Sequence, residues 1–152
     1  MWTPTTFRAR AAALLAGLIA ATAMAPLLGP AAPAAAAPSD GRIAFASEVD
    51  GDFEIYTIKE DGTERTKLTS TSGDDMGPVW FGSSKIAFAS DRDGDFDIYT
   101  MNADGSGVTQ ITQSPGYDGR PTWSPDGTKL AFVSIRSGKN QVHIQNVQKT
   151  AD

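Results

Sequence analysis

From residue 41 onward, short runs of β-branched, aromatic and alanine residues alternate with clusters of Gly, Asp, Ser and Pro. Runs of five or six such residues bounded by turn formers read as β-strands. The run Ile43-Ala44-Phe45-Ala46-Ser47 is apolar on both faces, as in a strand covered on each side by other layers. It returns 43 residues later as Ile86-Ala87-Phe88-Ala89-Ser90, and again, one residue late, as Leu130-Ala131-Phe132-Val133-Ser134. Glu54-Ile55-Tyr56-Thr57-Ile58 returns as Asp97-Ile98-Tyr99-Thr100-Met101 at the same offset. No helical periodicity interrupts the pattern, and the short linkers leave no room for crossover helices.

A repeat of this length built from short strands predicts an all-β fold, a partial β-propeller of antiparallel four-stranded blades. The strands of the most complete repeat fall near 78–82, 85–90, 96–101 and 108–112. The first repeat supplies strands near 42–47, 53–58 and 66–69, and the third near 120–124, 129–134 and 141–146. About ten strands result, with blade one over 41–76, blade two over 77–119 and an incomplete blade three over 120–152. Asp61-Gly62 and Asp104-Gly105 predict hairpin turns, and Ser124-Pro125-Asp126-Gly127 another turn.

The first 36 residues belong to a different kind of sequence. Arg8 and Arg10 precede an apolar run from Ala11 to Ala25, Pro26 breaks it, and small residues follow from Ala31 to Ala37. This is the order of a secretory signal peptide, with cleavage expected after Ala36. The alternative is a retained anchor, since Ala11 to Leu28 carries no charge. Cleavage predicts an exported protein, periplasmic, at the cell envelope or secreted, with no membrane insertion afterwards. Without cysteine there is no disulfide and no lipid attachment site. Removing the leader takes away two arginines and no acid, so the net charge moves from −5 to −7. Such a surface argues against nucleic acid or anionic membrane as partner.

Trp123-Ser124-Pro125-Asp126-Gly127, Ala87-Phe88-Ala89-Ser90-Asp91-Arg92, Ile98-Tyr99-Thr100-Met101-Asn102 and Ile111-Thr112 together resemble the TolB-type β-propeller repeat family, over Gly41 to about Asn146. The resemblance implies a propeller, commonly of six or seven blades, used in exported and envelope proteins as a rigid platform for partners. The residues that carry the resemblance hold no counterpart of the separate N-terminal α/β domain of the family's namesake or of most of its blades. The same repeats form the non-catalytic propeller ahead of prolyl-oligopeptidase-like serine peptidases. No Gly-x-Ser-x-Gly elbow stands in the chain beyond the leader, and its one histidine, His143, lies in an expected strand at the place of Tyr99.

Asp91, Asp93, Asp95 and Asp97 alternate through one loop, with Glu48, Asp50, Asp52 and Glu54 at the matching places of the first repeat. Converging carboxylates around a glycine are what Ca²⁺ requires, so Asp91, Asp93, Asp95, Asp97, Asp50, Asp52 and Glu54 are the candidate metal ligands. The competing reading is turn chemistry, with the carboxylates bonding local N–H groups and Arg92. Trp80, Trp123, Tyr56 and Tyr99 hold fixed places in the repeat and are expected in the core. Tyr117 and Asp118 are expected as an exposed pair and are the candidate ligand-binding residues.

These readings converge on a non-enzymatic exported module that binds a protein or small ligand at its loops, with no cofactor required. The alternative is a fragment of a larger propeller protein without independent activity. Closure of a ring by several copies would reconcile the strand number with the first reading.

Overall fold

Every element among the described residues, 41–49 and 51–147, is a β-strand in the computed structural model of the chain. The expected leader (1–36), Asp50 and residues 148–152 lie outside the described residues. Ten strands follow in order: β1 (Arg42–Glu48), β2 (Phe53–Lys59), β3 (Thr66–Lys67), β4 (Asp75–Phe81), β5 (Lys85–Ser90), β6 (Asp97–Asn102), β7 (Thr109–Gln110), β8 (Asp118–Trp123), β9 (Lys129–Ser134) and β10 (Gln141–Asn146). They form three antiparallel meanders, β1-β2-β3, β4-β5-β6-β7 and β8-β9-β10. The second is a complete four-stranded blade, while among the described residues the first has no partner outside β1 and the third none outside β10.

Register repeats with the sequence. Phe45 opposes Tyr56, Phe88 opposes Tyr99, and Phe132 opposes His143. Each pair stacks, with ring centroids 5.8, 5.9 and 6.0 Å apart. His143 thus fills the tyrosine's place in the third sheet.

The sheets stack in chain order, and the first and third do not touch. Large and small side chains on the central strands explain the stacking. Successive residues of a strand face opposite ways, so Ile86 and Phe88 point toward the first sheet while Ala87 and Ala89 point toward the third. Ile86 and Phe88 join Ile55, Tyr99 and Met101 in one buried cluster, against which Ala44 and Ala46 pack. Ala87 and Ala89 join Ile98, Trp123, Leu130 and Phe132 in the other. Large side chains of one sheet therefore fill the space left by alanines of the preceding one, which is why the run is apolar on both faces. Each fully buried Ile or Phe contributes about 1.5–3 kcal/mol.

Two strand starts differ from expectation. β4 and β8 begin at Asp75 and Asp118, before the predicted starts at 78 and 120. Gly77-Pro78 and Arg120-Pro121 mark bulges inside these strands, not their beginnings. The register slips between Met76 and Val79 and between Gly119 and Thr122. Gly77 and Arg120 take left-handed φ values of 61° and 55°. A bulge leaves one residue unpaired, so the proline that follows has no ladder bond to lose. The fourth strands, β3 and β7, are only two residues long, because a threonine side chain takes over the next bond. Ile55 N–H donates to Thr69 Oγ1 (2.8 Å), and Ile98 N–H to Thr112 Oγ1 (2.9 Å).

Candidate functional site

The loops gather at two ends of the stack. One end holds the turns 60–65, 82–84, 103–108 and 124–128. Here Asp61, Asp104 and Asp126 cap their own turns. Each accepts from a backbone N–H and hydroxyl two residues on, and Asp126 also accepts from Ser124 Oγ. These hydrogen bonds lower all three carboxyl pKa values, that of Asp126 to about 2, chiefly through Ser124.

The other end carries the loops after β1, β5 and β9 together with the loops before β4 and β8. A buried latch holds it. The Asp75 carboxylate is fully buried and receives Arg92 Nη2 at 3.0 and 3.2 Å, while Arg92 Nε donates to Ser90 Oγ at 2.9 Å. The guanidinium lies 4.6 Å from the Tyr99 ring centroid and 5.4 Å from that of Phe88. The third sheet repeats the arrangement, with Arg136 Nη2 at 2.8 Å from Asp118, Nε at 2.8 Å from Ser134 Oγ, and Phe132 beneath. Asp118 is therefore buried, not the exposed residue expected from its glycine-rich surroundings. Its neighbour Tyr117 is half-buried, with its ring tilted against Phe96 at 5.5 Å. In the first sheet Val49 stands where the arginine would be, and Arg65 comes from the other side of the repeat instead. Its guanidinium sits over Tyr56 at 4.3 Å and Phe45 at 5.6 Å, and it donates to Ser47 Oγ at 3.2 Å.

The acidic loop residues are spread among separate partners. Glu54 and Asp97 are buried at the starts of their strands, where each accepts the hydroxyl proton of Thr69 or Thr112 (2.7 and 2.8 Å). Asp93 accepts from the Tyr99 hydroxyl at 2.6 Å, and burial followed by this bond raises the tyrosine pKa well above its usual value. Asp95 accepts from Gly116 N–H at 2.7 Å. Asp91 Oδ1 accepts from Asp74 N–H at 2.7 Å, and Asp74 Oδ1 in turn accepts from Phe53 N–H at 2.9 Å. Asp52 makes no hydrogen bond or ion pair among the described residues, and Asp50 lies outside them. No three His, Cys, Asp or Glu side chains among the described residues come together where they could hold a metal ion.

What these loops do form is a cleft of about 360 Å³ between the first and second sheets, lined by Gly51, Asp52, Ser72, Gly73, Asp74, Asp91, Arg92 and Gly94. Three of its side chains are carboxylates, and its one cation, Arg92, is already held by Asp75. The sequence reading found Asp52 and Asp91 but missed Asp74, Asp75 and Arg136. The signal was present, since Asp75 and Asp118 stand 43 residues apart, and Arg92 and Arg136 each stand two places beyond a serine that ends a central strand.

Residues 82–151 match the TolB beta propeller domain. A TolB homolog from Chlorobium luteolum is 36% identical over 106 residues, 70% of this chain and 14% of that protein. The chain carries TolB-type β-propeller repeats. The putative TolB of Agrobacterium tumefaciens superposes with a TM-score of 0.63 at 28% identity, over 70% of this chain and 42% of that one. TolB from Acinetobacter baumannii gives a TM-score of 0.57 at 24% identity, over 72% and 28%, a likeness of fold. The chain thus spans less than half the length of each of these TolB relatives. Within the repeat, Ile-Thr at the end of the fourth strand supplies the threonine that bonds the acid of the third, and Ser-x-Arg supplies the latch.

Proposed function

We propose that this chain is an exported, non-enzymatic binding module that takes a cationic segment of a partner protein at the acidic cleft of its loop face. The observation that carries the reading is the cleft's charge. The carboxylates of Asp52, Asp74 and Asp91 line it, and its arginine is neutralised by the buried Asp75. A concave site with excess carboxylate and no free cation raises the local concentration of basic groups and steers them in. The TolB-type repeats support the platform part of this reading, since a stack of latched sheets holds its loops rigidly. The leader-like first 36 residues support export.

The test is a calorimetric titration of the full chain with a lysine-rich peptide and with a neutral peptide of equal length. Binding of the lysine-rich peptide alone, weakened by salt and by the combined Asp52→Asn and Asp74→Asn exchange, is expected. Asparagine keeps the Asp74 acceptor for Phe53 N–H while removing the charge. Equal binding of both peptides, or binding unchanged in the variant, would overturn the assignment. Hydrolysis of either peptide by the purified chain would overturn the non-enzymatic part.

A further inference from the structure

A second cleft opens between the first and second sheets at the end opposite the acidic one, with a volume of about 350 Å³. That lies within the range of about 300–1,000 Å³ in which proteins hold small ligands. Strands β2 and β3 form one wall, and the end of β4 with the turns 82–84 and 103–108 forms the other. Both walls are fixed by backbone contacts. Ala103 N–H donates to the Ser84 carbonyl at 2.9 Å, which ties the two turns together. Gly105, at a φ of 86°, rests on the first sheet so closely that a methyl group there would stand 2.7 Å from the Leu68 carbonyl oxygen.

Thr57 lies two places beyond Ile55 on β2, so it faces the second sheet and the cleft. It is 2% exposed, yet its hydroxyl makes no hydrogen bond among the described residues. A buried hydroxyl left unpaired is costly and rare, and a ligand in the cleft would satisfy it. The rest of the lining defines that ligand. Thr66 and Ser83 add two more hydroxyls, while Trp80 and Leu68 supply an aromatic ring and an apolar side chain. Arg42 and Asp104 bring one charge of each sign, and Arg42 is held by Glu64 at 2.7 Å. Asp104 gives Oδ1 to the N–H and hydroxyl of Ser106, which leaves Oδ2 to accept from a ligand. The cleft thus has no excess charge to select an ion. Hydroxyls both donate and accept, so they match a ligand whose own groups do the same.

We propose that this cleft binds a neutral pyranose, with the sugar's C–H face against Trp80 and Leu68 and its hydroxyls paired to Thr57, Ser83 and Asp104 Oδ2. A pyranose joins a ring of hydroxyls to an apolar face, which is the combination the lining offers. The groove at the same place between the second and third sheets sets Lys85, Thr100 and Thr109 where this one has Arg42, Thr57 and Thr66, but no aromatic ring lines it. Trp123 is drawn inward there by its bond to the Val79 carbonyl. The sugar site is therefore assigned to the first interface alone, and it stands independently of the cationic partner at the acidic cleft.

The experiment is amide and indole chemical-shift mapping of the labelled full chain during titration with the methyl glycosides of glucose, galactose and mannose, with sorbitol as an acyclic polyol for comparison. Saturable shifts of the Trp80 indole and of residues 57, 66–68, 83 and 103–104 with at least one glycoside, and none with sorbitol, are expected. Thr57→Val and Ser83→Ala are each expected to weaken that glycoside by about fivefold, the loss of one hydrogen bond. Circular dichroism checks both variants, and because Ser83 is exposed, Ser83→Ala decides the matter if Thr57→Val loses its β signal. No saturable shift with any of the three glycosides, an equal response to sorbitol, shifts centred on Thr100 and Thr109, or undiminished affinity in a folded variant would each overturn the proposal.

Discussion

Arg92 holds the fully buried carboxylate of Asp75 at 3.0 Å, tying the loop after β5 to the start of β4. Removing one partner of a buried pair strands the other charge, which costs about 3–5 kcal/mol. Arg92→Ala is therefore expected to lower the urea midpoint sharply, and replacing both residues is expected to cost less than the two single losses added. The exposed Lys59–Glu64 pair provides the contrast. Glu64→Gln is expected to leave the midpoint nearly unchanged, because solvent screens exposed pairs.

Arg65 covers the Phe45–Tyr56 pair from β3's side of the first sheet, where the second sheet uses Arg92. Loss of two cation–π contacts is worth about 0.5–2 kcal/mol. Arg65→Ala is expected to destabilise by that amount in denaturant titration. Val108, the matching residue of the second repeat, is 42% exposed, and Val108→Ala is expected to change stability by less than about 0.5 kcal/mol.

The two repeat tryptophans differ in one bond. Trp123 Nε1–H donates to the Val79 carbonyl at 3.3 Å, across the sheet interface. The buried Nε1 of Trp80 has no acceptor among the described residues. Phenylalanine at 123 loses a hydrogen bond worth about 1 kcal/mol, while phenylalanine at 80 loses none. Trp123→Phe is thus expected to cost more than Trp80→Phe, by about that difference, in thermal or urea unfolding.

Tyr99 is harder to ionise folded than unfolded, through burial and its hydrogen bond to Asp93. A raised folded pKa means that its contribution is intact below the ordinary tyrosine value of 10.0 and is lost as pH climbs above it. Ultraviolet titration is expected to show Tyr99 ionising above the ordinary tyrosine range, together with alkaline unfolding. Asp93→Asn is expected to bring that ionisation to lower pH.

The fold was legible because the repeat writes the same packing problem three times. Ile86-Ala87-Phe88-Ala89 announces by its sizes that one face gives and the other receives, so strand order and central core followed from it. Gly77-Pro78 and Arg120-Pro121 misled because a breaker signal looks the same at a strand start and at a bulge within a strand. Asp118 misled for a related reason: beside glycines it looks exposed, and only the approach of Arg136 from 18 residues away buries it. The alternating acids carried two meanings that spacing cannot separate. Glu54 and Asp97 point inward to a threonine, while Asp52 and Asp91 line the cleft.

The central claim, a cationic partner at the acidic loop face, is tested most directly by amide chemical-shift mapping of the labelled chain during titration with the lysine-rich peptide. Shifts concentrated at residues 51–52, 72–74 and 91–94 are the predicted result. Shifts centred on Asp61, Asp104 and Asp126 at the opposite end, or no shifts at all, would contradict it.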